Sequence, residues 1–219
     1  MCGRVRLDRR TPRHCGDRLT AKRRYGRSRR DLAEIAIRQF EANGFEETTV
    51  EEIAEAAEYS PRTFHRQFPS KEDVVFFDLP DILAPLSALP LPGSVSAWSA
   101  VSAVFIQNAH RWESWSADVA RSRTRLIFDE PALYRRFLDI TDQWEAVLTR
   151  VFCDERGSDP SQDAYAQLLA GCAISACRVA LRSWLVRPER CLPEHMTDAL
   201  DQLACGFGVA RVHALGSRH

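Results

Sequence analysis

Apolar residues recur three and four positions apart along most of this chain, and the polar and turn residues between those runs divide it into helices. Leu32, Ile35, Ala36 and Phe40 line one face of a first helix that opens near Ser28 and stops at Asn43-Gly44. Thr49 followed by Glu52 makes a capping box ahead of Val50, Ile53, Ala54 and Ala57, which share one face of a short second helix. Glu58-Tyr59-Ser60 is a brief connection, and Ser60-Pro61 reads as an N-cap with proline at the first helical position. This third helix closes at Phe68-Pro69, and Ser70 with Asp73 caps a fourth, SKEDVVFFD. Pro80, Pro85, Pro90 and Pro92 break the segment that follows. Further helices are predicted over 95–114, 116–128, 131–155 and 161–186, with Gly157-Ser158-Asp159-Pro160 as a stop before the last of these. A final stripe runs through Met196, Leu200, Leu203, Phe207 and Ala210, with Gly206 and Gly208 beside it. Neither a 20–50-residue repeat nor a bounded period-2 alternation is present, so the pattern predicts an all-α fold of about nine helices.

Two short helices joined by a tight turn and preceded by a longer one form a tri-helical helix-turn-helix, which lays its last helix in a DNA major groove. A helical wheel of the third helix is consistent with that use. At about 100° per residue Phe64 and Phe68 fall within about 40° of each other, while Arg62 and Arg66 lie on the opposite side. The phenylalanines are expected inside and the arginines outside. Arginine reads guanine O6 and N7 bidentately, and His65, Thr63 and the first amides of the helix suit phosphate. A solvated polar face on a small amphipathic helix is the plain alternative for one helix alone; three capped helices followed by a fourth favour DNA.

Charge sharpens the picture. The 219 residues carry a formal net charge of zero, yet residues 1–30 hold 12 basic against 2 acidic side chains, and the remainder is acidic by the same margin. Residues 1–27 read as a flexible basic arm, either a DNA contact or a poorly ordered terminus. Residues 31–75 hold 4 basic against 11 acidic side chains, so positive potential has to come from the third helix, helix N-termini and the arm. Seven cysteines, an odd set without a C-x-x-C pair, argue against a disulfide framework or zinc ribbon and fit a cytoplasmic protein. The first thirty residues are too charged for a signal peptide, and the prolines within 82–110 break the one long uncharged run, so no membrane segment is expected.

Three motifs carry a resemblance to a known family: F-x-x-x-G-[FY]-x-x-T-T-V from Phe40 to Val50, I-A-x-x-A from Ile53 to Ala57, and T-F-x-x-x-F-x-S-K-E from Thr63 to Glu72. On these, residues 29–78 resemble the amino-terminal domain of the tetracycline-repressor (TetR) family of bacterial transcriptional regulators. The resemblance implies a dimer on double-stranded DNA, one recognition helix per subunit, and a carboxy-terminal helical domain whose ligand pocket controls DNA affinity. It implies a phosphate-facing cap at Thr49, and Ser60, the N-cap of the recognition helix, is counted with the candidate DNA contacts. Arg62, Thr63 and Arg66 would face the groove, His65 would meet phosphate, and Lys71 would make a backbone contact at the start of the fourth helix. Two positions depart from the family pattern. Glu58 stands where glycine is usual, because the second helix ends there at positive φ, and His65 replaces the common tyrosine or phenylalanine.

The remaining chain divides into a helix-turn-helix domain over 28–75 and a ligand-binding and dimerisation domain over 76–219. The predicted helix over 161–186 is apolar nearly all round, with Arg178 and Arg182 as its charges after Ala164, and such a helix is buried on most sides. Leu168, Cys172 and Val179 on it, with Met196, Leu200, Leu203 and Phe207 on the next, are the candidate dimer interface, a purely intramolecular core being the alternative. Trp98, Phe105, His110, Trp112, Trp115 and Trp144 are the candidate lining of an aromatic, charge-poor pocket for a small hydrophobic effector, core packing being the commoner use of such residues. Arg121, Arg123 and Arg125 read as a grip for an anion or as a solvated face. No Glu-x-x-His, H-E-x-x-H or G-x-x-x-x-G-K-[ST] is present, and no metal site, cofactor or catalysis is expected. The rival classes are a helical adaptor that kept the fold without reading DNA and an all-α enzyme.

Overall fold

In a computed structural model, residues 29–79, 82–87 and 96–206 are described. They form ten helices and no strand: α1 Arg29–Asn43, α2 Val50–Ala56, α3 Pro61–Gln67, α4 Lys71–Phe76, α5 Ala84–Ser87, α6 Ala97–Glu113, α7 Ala117–Asp129, α8 Pro131–Arg156, α9 Ala164–Val186 and α10 Leu192–Ala204. The predicted boundaries hold within a few residues except that α5 was not foreseen, α4 is shorter than SKEDVVFFD, and the last helix ends at Ala204. The basic arm, Phe207, Gly208 and Ala210 lie outside the described residues.

The head, α1 to α4, is built from helices too short to persist alone, so capping and a phenylalanine core hold it together. Thr49 Oγ accepts from the Glu52 N–H at 3.2 Å while Glu52 Oε2 accepts from the Thr49 N–H at 2.8 Å. Ser70 and Asp73 repeat the arrangement at α4, with bonds of 3.3 and 3.0 Å. Leu32, Ile37, Phe40, Phe45, Ile53, Phe64 and Phe68 close the core beneath them. From α3 the rings Phe64, Phe68, Phe77 and Trp115 follow one another at 5.7 to 5.9 Å, leading out of the head and into the body.

The body packs α9 against α8 and α10, α10 against α6, and α7 against α8 and the head's α1. Its helices run from 13 to 26 residues, apart from the single turn of α5, and lean on packing more than on caps. Neither α7 nor α8 has a side-chain N-cap bond. α8 ends where the sequence places its stop, at Gly157 with φ 64°. Across that turn Asp163 accepts from Ser158 Oγ at 2.5 Å, the Ala166 N–H at 3.0 Å and Arg156 Nε at 2.8 Å. These bonds hold its carboxyl well below the usual range, the Ser158 hydroxyl contributing most. By length and composition α9 matches a membrane span, but Ala166, Ala170, Ala173, Ala180 and Trp184 are buried against the other helices. An alanine-rich helix clasped from two sides has the same composition.

Candidate DNA-reading face and effector cavity

α3 presents the two faces its wheel requires. Phe64 and Phe68 are fully buried, Arg62, His65 and Arg66 are exposed, and Thr63 is half-buried. Its start is locked by Ser60, whose Oγ accepts from the Thr63 N–H at 3.2 Å and lies 2.9 Å from the Thr63 hydroxyl. The preceding turn keeps its geometry despite the missing glycine. Tyr59 N–H reaches the Ala54 carbonyl at 2.7 Å and Glu58 N–H the Glu55 carbonyl at 2.9 Å, the pairing of a Schellman motif. Glu58 adopts φ 57°, a conformation that costs a residue with a Cβ about 1 kcal/mol.

Two of the residues expected to contact DNA have intramolecular partners in the structure. Lys71 Nζ donates to the carbonyls of Phe45, Glu46 and Thr48 at 2.7, 3.2 and 3.3 Å and sits 4.4 Å from the Phe45 ring centre. An ammonium has three donors, and here all three are engaged in tying α4 to the α1–α2 loop, which makes this lysine a brace of the head. Thr49 is exposed as its cap role requires, but its hydroxyl donates to Glu52 Oε2 at 2.9 Å. Bonds from the Thr49 backbone and hydroxyl keep that carboxyl below its usual range, so a negative charge stands beside the expected phosphate position.

Inside the body lies an apolar cavity of about 40 Å³. Phe105, Trp112 and Trp144 line it, as the sequence suggested, together with Leu79, Ile82, Ala109, Phe137, Cys177, Leu181 and Met196. Asn108 is its polar exception, and its amide donates to the Val104 carbonyl at 2.8 Å. The other three expected lining residues are elsewhere. Trp98 stacks on Phe152, His110 is exposed, and Trp115 packs between Phe77 and Arg30 at the joint of head and body. Burial pushes the Cys177 thiol up to about 12, which leaves it a small apolar wall residue. The contributions of Leu181 and Cys177 were hidden in α9 because an all-apolar helix does not show which side meets a void. A larger groove of about 400 Å³ lies between head and body, with Arg29, Asp73 and Arg136 among its lining residues and Trp144 shared with the apolar cavity.

The expected dimer residues also separate. Met196 and Leu200 are 3% and 1% exposed within one chain, so they belong to the intramolecular core and not to an interface. Leu203 and Cys172 are half-buried. Leu168 and Val179 stay open at 67% and 57%, with Tyr165 and Val186. These positions fall on one line of α9, Tyr165, Leu168, Cys172, Ser175, Val179, Arg182 and Val186, at alternating spacings of three and four. Of the arginines of α7 only Arg125 stands on a solvated face: Arg121 donates to the Pro188 carbonyl at 2.8 Å, and Arg123 is buried.

A tri-helical module with arginines on the outer face of its third helix, carried on an all-α body, defines a helix-turn-helix DNA-binding regulator. Residues 32–76 match the family model "Bacterial regulatory proteins, tetR family", and residues 95–208 match that of the "MftR C-terminal domain". The chain is 32% identical over 192 residues to the HTH-type transcriptional regulator TcmR of Streptomyces glaucescens, covering 83% of this chain and 85% of that one. It is 25% identical over 178 residues to a mycofactocin biosynthesis transcriptional regulator, MftR, of Mycobacterium tuberculosis, covering 80% and 89%. Among solved structures, FadR of Thermus thermophilus in complex with lauroyl-CoA superposes with a TM-score of 0.54 at 23% identity, covering 87% of this chain and all of that one. FadR of Bacillus halodurans superposes at 0.60 with 14% identity, covering 84% and 98%. The chain belongs to the TetR family of bacterial transcriptional regulators, whose members bind DNA and act as dimers.

Proposed function

We propose that this protein is a repressor that binds a palindromic operator as a dimer and leaves it when a small, largely hydrophobic effector enters the body. The observation that carries the reading is α3, where Arg62 and Arg66 project from the face opposite the fully buried Phe64 and Phe68. A dimer brings two such helices to half-sites related by a two-fold axis. The open three-and-four stripe of α9 is the surface that fits a second copy, because its exposed Tyr165, Leu168, Val179 and Val186 lie at a spacing that pairs with a symmetry mate. The cavity supports the effector class: its walls are apolar and aromatic, with Asn108 to orient a ligand.

The test is competition binding on the inverted repeat flanking the protein's own gene against a scrambled duplex. Replacing Arg66 with Ala is expected to cost about 1–3 kcal/mol on the operator and to relax preference at one base pair. Equal losses on both duplexes would show that α3 does not read bases. Tryptophan quenching by a panel of apolar and acyl compounds reports the effector, and by reciprocity operator DNA must weaken a true effector by the factor with which that effector weakens DNA.

A further inference from the structure

Among the described residues Arg123 is the one buried arginine, 1% exposed, and it lines neither the reading face nor the cavity. Its guanidinium is engaged from two sides. Toward the head, Nε donates to the Val75 carbonyl at 2.8 Å, Nη1 to Asp78 Oδ2 at 3.2 Å, and Nη2 to Asp78 Oδ1. Toward the body, its carbon Cζ lies 3.9 Å from the Trp112 ring centre and 4.7 Å from that of Trp115. Trp112 is a wall of the cavity, and its indole N–H donates to Thr124 Oγ1 at 3.0 Å, on the residue next to Arg123. One cation thus joins the end of α4 to the cavity wall.

The size of the cavity makes that joint consequential. Ligand sites occupy roughly 300–1,000 Å³, so about 40 Å³ admits no molecule of effector size without displacing a wall. Trp112 cannot retreat toward Arg123, because the two are already in van der Waals contact. It can yield only if the guanidinium moves with it, and a planar fork tolerates little movement before its bonds to Val75 and Asp78 fail. The two ends differ in exposure: the Asp78 side chain is 25% exposed against 1% for Arg123. A released Asp78 can therefore regain water, while the arginine stays stacked on the indoles.

We propose that Arg123 is the positioning residue that converts a displaced cavity wall into a loosened α4, and so into a reoriented reading head. This rests on the effector reading above, but its test needs neither effector nor operator. Cys177→Phe fills the cavity from α9 and serves as a fixed occupant. Amide hydrogen exchange of residues 71–79, read by mass spectrometry on the full chain, reports the joint. Cys177→Phe alone is expected to speed exchange there about fivefold and to leave α2 unchanged, whereas in an Arg123→Leu background it should add less than about twofold. Exchange in the Arg123→Leu protein must stay well below the unstructured rate, so that the missing increment is not a ceiling; Arg123→Lys, which keeps the charge but loses the fork, should behave like Leu. Equal increments with and without Arg123 would overturn the proposal. So would an unchanged 71–79 segment beside altered exchange at 105–112. Should Cys177→Phe fail to fold, Ala109→Leu, a smaller filling of the same cavity, takes its place with the same expectations. Failure of this test leaves operator release by an effector intact, whereas failure of operator release leaves the joint measurable.

Discussion

The head and the body of this regulator are held by different physics. α2, α3 and α4 are seven, seven and six residues long, each started by a hydroxyl side chain that satisfies otherwise orphaned amides. α8 and α9 are 26 and 23 residues long, and their neighbours decide which face is inside. Local chemistry therefore specifies the head, and long-range packing specifies the body. The two meet at α4, capped like a head helix but clamped at its far end by Arg123 of the body. The predicted domain boundary after residue 75 falls inside that helix.

The sharpest way to break the comparison is a matched pair of substitutions in the body. Leu200→Glu puts a carboxylate into a site that is 1% exposed and should cost about 4 kcal/mol or more, unfolding the body in a thermal melt. Leu168→Glu, at 67% exposure, should leave the protomer within about 0.5 kcal/mol yet dissociate the proposed dimer in sedimentation. If Leu168→Glu remains dimeric, the open stripe of α9 is not the subunit contact.

A second test concerns the brace at the base of the head. Lys71→Ala removes three bonds to carbonyls of the α1–α2 loop and should lower stability by about 1–2 kcal/mol while leaving the salt dependence of DNA binding unchanged. A salt slope reduced by about one unit at constant melting temperature would restore the phosphate role that the family resemblance implies. Smaller, and opposite in sign, is Glu58→Gly. Relieving a left-handed glutamate should stabilise the head by up to about 1 kcal/mol, seen as a raised melting temperature with operator affinity retained.

The smallest expected effect lies at Asp163, the side chain that caps α9. The folded pKa of Asp163 is depressed, so its contribution is complete above the unfolded value near 4 and is lost as pH falls through the folded value. The melting-temperature gap between the natural protein and Asp163→Asn should therefore be widest near neutrality and narrow below about pH 4. A gap constant from pH 7 to pH 3 would assign the effect to geometry and not to charge.

Much of the head was legible in the sequence because its determinants are neighbours along the chain. Thr49 with Glu52, Ser60 with Pro61, and Ser70 with Asp73 each lie within three residues, and the wheel that turned Phe64 and Phe68 inward needs no partner to be drawn. The positive φ at Glu58 came from the family resemblance, which places a glycine there. The body was legible only as helices. Met196, Leu200 and Leu203 form a regular stripe, but a stripe does not say whether it meets its own chain or another, and α6 and α9 proved to cover it. Tryptophans in a charge-poor region likewise do not say which of them border a void: Trp112 and Trp144 do, whereas Trp98 lies half-buried on Phe152 and Trp115 fills the joint of head and body. Arg123 was beyond reach for the same reason. A guanidinium is driven to the surface unless partners meet it inside, and here Val75 and Asp78 lie 48 and 45 residues away. Sequence by itself settled capping, turns and the inward side of each short helix, because those depend on contacts within a few residues. Tertiary structure decided the cavity, the open face of α9 and the burial of Arg123, because each is a relation between helices that no single helix contains.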